Sequence, residues 1–512
     1  MRGSGSYNRN FSLNANPLQK PVGGMKKLVT IVERGGLDDF LYPADSKSTL
    51  VQPCYQQYHQ FASEVLETNY TGHAQWGSGL TTVNGAGSRI TFTVPVSEHA
   101  DLLQWCCLVL QPGTWIPSSV IPGLLRDDAH AFVPQNPNSC WTWIDQLGQH
   151  AIEKAELEAG GLVIDTVDGD WANICSLAFL TSQQRAGWTD SIVGGSITGT
   201  ATRQQLIQPT EDGNIYLWLP FWFARRKNTG FPLASLQNQP LRIHITLRKF
   251  TDVVRMVGMP RSTCDSSPLG TIVSYTDESL PHTNTSTWTN LATVPALANA
   301  QMIFGVTYLA DELRYAYRFQ PHEIMIEQTI RMHFAEPLKY AVGPATANSI
   351  QIALPLTSFN NPVRRIFFFV RRKAIFRYNE WSNYGSRLQD EIDPVWSPQK
   401  PLLRHAKLLV GTVFLIDQPE VWWRSNSATS LPGGVQLYDN YIYSCSFDGD
   451  SDQFAPHGGT LNSSRIDLRL DLEIDPPLSA EGISVEWEVV VFGTVYNWLR
   501  FQNGIANLLF TD

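Results

Sequence analysis

The stretch AIEKAELEAGGLVIDTVDGDW, residues 151–171, decides the fold class, because its first half can be read in two ways. In AIEKAELEAGG (151–161), Ala, Glu, Lys and Leu all favour helix. Read as a strand, the same residues put Ala155, Leu157 and Ala159 on one face and Lys154, Glu156 and Glu158 on the other. Period alone leaves both open. The second half crowds Asp165, Asp168 and Asp170 together. Two such carboxylates could serve a glycosidase, but a β-turn at Asp168-Gly169 joining two strands is the preferred reading.

The flanking sequence has period two. Ile90, Phe92 and Val94 alternate with Thr91 and Thr93 in RITFTVP. Leu241, Ile243, Ile245 and Leu247 alternate with Arg242, His244, Thr246 and Arg248. Leu468, Leu470, Leu472 and Ile474 alternate with Asp467, Arg469, Asp471 and Glu473. Such alternation describes strands with one buried and one wet face. VEWEVVVFG from Val485 and NIYLWLPFWF from Asn214 are further strands, the second too apolar to be wet on either side. Long polar loops are expected at 183–213, 256–300, 378–403 and 424–460, and no helix competes over most of the length. Strand-rich stretches at 86–250 and 300–510 predict two β-sandwiches joined by a linker rather than one barrel. Residues 1–45, rich in Gly, Ser, Asn and Pro, are expected to form an N-terminal arm. No internal repeat is visible, so any duplication is structural only.

Composition narrows the function. The 512 residues are 43% hydrophobic and 11% aromatic, which excludes a disordered chain. Only 17% are charged, against roughly 25% in an average domain, so much of the surface is expected to meet copies or partners. The net charge of −9 argues against direct nucleic-acid binding, which needs clustered Lys and Arg. Seven scattered Cys, with no C-x-x-C pair, give neither a disulfide framework nor a zinc site. The first ten residues lack an apolar run, so no secretory signal is expected, and the chain reads as a soluble protein of a reducing compartment. The Asn-x-Ser/Thr matches at Asn10, Asn69, Asn284 and Asn462 are then chance.

Motifs for chemistry fail on inspection. HEIMIEQ (322–328) lacks the second His of a zincin, since Ile326 stands there, and reads as a strand with a surface His–Glu pair. FDGDSDQ (447–453) alternates Asp448, Asp450 and Asp452, but Gln453 and Gly459 occupy the Gly and acid positions of a calcium loop. GGSITG (194–199) has glycines without a following Lys. The clusters Arg225-Arg226-Lys227 and Arg371-Arg372-Lys373 each follow an aromatic run. They read as charged strand ends leaving the core or as subunit contacts, ahead of anion sites. Trp141, Trp143 and Trp422-Trp423 could be sugar platforms, but more often such residues fill cores or interfaces. No catalytic, cofactor-binding or metal-binding residue is nominated, and no cofactor is expected.

Taken in order, these segments resemble the double jelly-roll major capsid proteins of the nucleocytoplasmic large DNA viruses. GLDDFLYP (36–43), YQQYHQFASEVLETNY (55–70) and RITFTVPVSEHADLLQ (89–104) resemble the opening strands. IEKAELEAGGLVIDTVDGDW (152–171) is the most specific match: a strand with alternating acids, a Gly-Gly turn, then an acidic loop ending in Trp. That resemblance decides 152–171 as strand–turn–strand. YLWLPFWFARRKNTGFPLASLQNQPLRIHITLR (216–248), YLADELRYAYRFQPHEIMIEQ (308–328) and FFFVRRKAIFRYNEWSNYG (367–385) are similar to later segments. LNSSRIDLRLDL (461–472) and VYNWLRFQNGIANLLF (495–510) resemble the last strands, with Ser463 where the family usually has Phe. The 55–70 region is longer than usual and 256–300 has no clear counterpart.

The resemblance implies an all-β chain of two consecutive eight-stranded antiparallel jelly rolls, expected at 46–255 and at 256–512 with the linker included. It also implies a homotrimeric, pseudo-hexagonal capsomer tiling an icosahedral shell of the virion, assembled in the host cytoplasm. Neighbouring capsomers, minor capsid or cement proteins and a nearby internal membrane are the implied partners, and no enzymatic activity is implied. The rivals are a β-sandwich carbohydrate-binding protein or glycosidase, and a minor or penton capsid component of the same fold.

Overall fold

The computed structural model describes residues 61–510 with breaks, the larger ones at 77–88, 113–123, 194–213, 258–296, 387–399, 448–458 and 476–485. The expected arm (1–45), the 36–43 and 55–60 segments, GGSITG, most of the linker and Asp448, Asp450 and Asp452 lie outside the described residues.

The first half supplies β1 (Phe61–Asn69), β2 (Arg89–Thr93), β3 (Leu102–Gln111), β4 (Ile152–Ala159), β5 (Leu162–Asp168), β6 (Ile215–Trp218), β7 (Phe231–Pro232), β8 (Leu241–Leu247) and β9 (Asn299–Leu309). They form a first sheet in the order β1-β9-β3-β7, with β6 also on β3, and a second in the order β2-β8-β4-β5. The second half supplies β10 (His322–Phe334), β11 (Ile350–Pro355), β12 (Pro362–Arg372), β13 (Leu403–Val410), β14 (Val413–Pro419), β15 (Tyr443–Ser446), β16 (Leu468–Ile474) and β17 (Trp487–Gln502). Its third sheet runs β10-β17-β12-β15 and its fourth β11-β16-β13-β14. Strand for strand, with β6 and β7 sharing one place, the second half repeats the connections of the first. This is the double jelly roll: the duplication is structural, with no trace in the residues.

Alternation explains most strands. Leu241, Ile243, Ile245 and Leu247 of β8 are fully buried. The opposite face is less wet than period two predicts. His244 is buried too, hydrogen-bonded to Thr91 at 2.8 Å and Glu158 at 2.6 Å, because β8 is a central strand. Residues 152–168 are strand–turn–strand, and Gly160 and Gly161 both take positive φ, 56° and 97°. A two-residue hairpin turn of this hand requires that of both central residues. Ser463, where the family usually has Phe, donates its hydroxyl to the carbonyls of Phe359 and Asn361.

Four expectations are corrected. First, β9 hydrogen-bonds between β1 and β3 of the first sheet, so the boundary at 255/256 cuts off the first half's last strand. A Greek-key connection returns its last strand beside its first, however long the chain between them. Second, no β-turn follows Asp168. Its carboxylate accepts from the Trp171 N–H at 2.7 Å and caps helix α1 (Gly169–Phe179). Third, the polar loops at 183–213 and 424–460 contain helices: α2 (Ser182–Val193) in the first, α4 (Glu420–Ser430) and α5 (Gly434–Asn440) in the second; a further helix, α3 (Asp311–Phe319), links the halves. Fourth, of NIYLWLPFWF only Ile215–Trp218 is strand, and a short helix begins at Trp222.

Phe368 on the inner face of β12 packs against Trp423 and Tyr443, with ring centroids 5.3 and 5.2 Å away. Phe368→Ala should cost about 3–5 kcal/mol, read by calorimetry as a lower melting temperature of the second half's core.

Candidate functional site

The third sheet is buried on both faces. Ile366, Phe368 and Val370 face the second half's own core, while Phe367, Phe369, Val490 and Phe492 belong to a core continuous with the first half. That is why RIFFFV reads as an unbroken apolar run. The first half reaches this outer face through β5, α1 and the short helix at Trp222–Arg225. Trp171 of α1 stacks on Phe492 at 5.5 Å and meets Phe367 edge-on at 5.7 Å.

Within this apolar contact lies an ionic seam. Arg371 Nη1 and Nη2 donate to the two Asp170 oxygens at 2.9 and 3.1 Å, and its Nε donates to Glu488 at 2.6 Å. His333 holds the other Glu488 oxygen at 2.7 Å. Arg331 bridges Asp168 at 3.1 Å and Asp170 at 3.4 Å. Alongside, Glu327 pairs with Arg364 at 3.0 Å and with Arg225 at 3.4 Å. Backbone contacts join the same surfaces: Gln328 donates to the Ile164 carbonyl at 2.6 Å, and the Thr329 N–H donates to Asp165.

The electrostatics follow from burial. Burial alone would raise the Asp170 carboxyl, but the Arg371 and Arg331 guanidiniums outweigh it and hold it well below the usual carboxylate range. Burial would likewise raise Glu488, and the His333 hydrogen bond and Arg371 reverse that. Asp165 behaves differently: burial pushes it up to about 7, against the pull of Arg225. Burial also lowers His150, next to α1, to about 3.

Each residue singled out in the sequence now has a place. Asp168 and Asp170 are consumed by guanidinium pairs and Asp165 is sealed in, so the three do not make a hydrolytic pair. The cleft beside them, about 270 Å³, is lined by Lys154, Asp168, Arg331 and Phe492 among others. Arg225 and Arg371 are neither strand ends leaving the core nor subunit contacts: both point inward and join the two halves of one chain. Arg226, Lys227 and the side chains of Trp141 and Trp143 lie outside the description. Trp423 is core, donating to the Ala406 carbonyl at 3.0 Å, and Trp422 is partly exposed. His322 stacks on Phe501 at 5.0 Å and Glu323 pairs with Arg500. Among the described residues no group of three His, Cys, Asp or Glu could hold a metal ion.

The fold has solved counterparts. The PBCV-1 capsid protein VP54 matches at TM-score 0.60 and 15% identity, covering 91% of this chain and all of that one. The Faustovirus major capsid protein matches at 0.56 and 11%, covering 91% and 96%. The family model described as the major capsid protein N-terminus matches residues 49–286. A major capsid protein of Pyramimonas orientalis virus is 22% identical over 507 residues, 96% of this chain and 100% of its own length. The chain thus resembles major capsid proteins of large DNA viruses along nearly its whole length. Another relative, a major capsid protein of Chrysochromulina ericina virus, is 23% identical over 371 residues, 68% of this chain and 57% of its own length. These likenesses, taken together, give the chain a structural role in the virion capsid rather than an enzymatic one.

Asp170→Ala leaves Arg371 buried with one partner fewer, which should cost about 3–5 kcal/mol, read as a large drop in the urea midpoint. For Asp165 the sign is opposite to that of Asp170. A carboxyl raised to about 7 contributes stability that is complete below its unfolded pKa and is lost as pH rises through the folded value. Buried neutral His150 opposes this over part of the range, so the comparison is with a variant. The melting temperature of Asp165→Asn relative to the parent should climb from about pH 4 to about pH 7 and level off above.

Proposed function

We propose that this protein is the major shell subunit of an icosahedral virion, trimerising through its two jelly rolls into a capsomer with a pseudo-hexagonal outline. One observation carries the reading: the chain contains two topologically identical lobes locked together by the buried seam. Three copies of such a chain present six similar lobes, which can tile a hexagonal net that three single lobes could not fill. Neighbouring capsomers and minor capsid proteins are its partners, and the shell lies close to an internal membrane. Assembly takes place in the host cytoplasm. The low charge fraction supports a protein whose sides meet neighbours. We place the division between the lobes at α3, after β9, rather than at residue 255.

Light scattering behind a sizing column, with no ligand added, should give one species of about 172 kDa, three times the chain mass of 57.3 kDa. A monomer that retains an oligosaccharide on a glycan array would contradict the reading and favour the carbohydrate-active alternative.

A further inference from the structure

β17 is longer than the repeat between the lobes requires. It runs 16 residues where its counterpart β9 runs 11. Its earlier residues serve their own lobe, with Val489, Val491 and Val495 in the second lobe's core. Pairing with β12 ends at Val495, and β17 then continues to a turn at Asn503-Gly504 and a short strand, β18 (Ile505–Leu508). Both turn residues take positive φ, 56° and 73°, as a two-residue hairpin of this hand requires. Leu499, Phe501 and Ala506 of the hairpin are fully buried, but in the core of the first lobe.

The loan is one-sided. Among the described residues, the second lobe's core takes nothing from the first half. In the first lobe, Phe231 of β7 lies in an aromatic cluster with Trp222 and Phe223, at 6.4 and 6.3 Å, and Phe501 meets it edge-on at 5.8 Å. Hydrogen bonds fasten the hairpin to the loop that follows β7. The Asn238 N–H donates to the Gly504 carbonyl at 3.1 Å and its side-chain amide to the Asn503 carbonyl at 2.9 Å. The Ala506 N–H donates to Gln239 at 3.0 Å. That loop is tied in turn to α3: the Ser235 hydroxyl donates to the Tyr317 carbonyl at 2.9 Å, and the Gln237 amide to the Arg318 carbonyl at 3.0 Å.

We propose that the hairpin at 499–508 is a closing strap, which the second lobe extends to seal the first lobe's core around Phe231. The strap follows every other described strand in sequence. The first lobe, although made first, is therefore sealed only after the second has been made. That reverses the usual order, in which domains fold as units from the N-terminal side during synthesis. A half-made chain then presents no finished lobe to other chains, a consequence that rests on the shell reading above.

A strap acts across lobes, so damage to it should loosen the first lobe and spare the lobe that carries it. Hydrogen–deuterium exchange of full-length Phe501→Ala reads this directly. Amides of 231–239 and of α3 should exchange faster than in the parent, by on the order of a hundredfold. Those of β13 and β16 should keep the parent's rates. Gly504→Val gives a second reading should Phe501→Ala fail to fold. It forces a β-branched residue into positive φ and sets its Cβ 3.0 Å from Asn238 and Gln237, so the turn must leave the loop. The same two segments should loosen and the same two strands should not. Unchanged exchange at 231–239 in either folded variant overturns the strap, as does equal loosening of β13 and β16. Both readings compare segments of one chain, so they stand or fall apart from the trimer.

Discussion

The fork between Asp170 and Arg371 is the interaction on which the rest of the molecule depends. It puts a full guanidinium charge between two jelly rolls, over the Phe369 ring at 5.1 Å. Burying ions is expensive, and their attraction offsets the cost only where geometry is good and every remaining oxygen and proton has a partner. Here the fork is bidentate, Glu488 takes the third nitrogen, and His333 and Arg331 occupy the outer lone pairs. An apolar seam of equal area could slide; a planar fork fixes one register between the lobes.

That register matters because the capsid role is geometric. No reacting group has to be positioned in a shell protein; an angle between two lobes has to be held. The third sheet does this by giving up its wet face. Its inner residues close the second jelly roll and its outer residues complete a core shared with the first. At about 1.5–3 kcal/mol for each fully buried large apolar side chain, Phe367, Phe369 and Phe492 make separation of the lobes costly before any ion pair is counted.

Much of this was legible in the sequence. β2 and β16 alternate as written and β8 in part, its His244 and Thr246 being buried as well; the hairpin at 160–161 and the double jelly roll came from the resemblance carried by the order of motifs. The helices were missed for separable reasons. α1 is buried on every side, so its apolar residues show neither period two nor an amphipathic stripe. α2 did carry a signal: Thr181 and Gln184 form a reciprocal capping box that the polar composition concealed. The placement of β9 in the first sheet is a long-range pairing that no local pattern reports. The seam was half visible. Asp168, Asp170 and Arg371 were all singled out, but a lone sequence cannot show that residues 201 positions apart pair. The aromatic run before Arg371 was the clue that this arginine begins inside the core rather than beyond it.

The central claim is that the seam is as stable as the cores it joins. Hydrogen–deuterium exchange of the assembled protein, followed peptide by peptide, tests it most directly. Amides of α1, residues 169–179, should exchange as slowly as those of β12 and β17, opening only with the whole fold. Fast exchange in α1 while the strands of both jelly rolls stay protected would show two lobes that part independently, and would contradict the account.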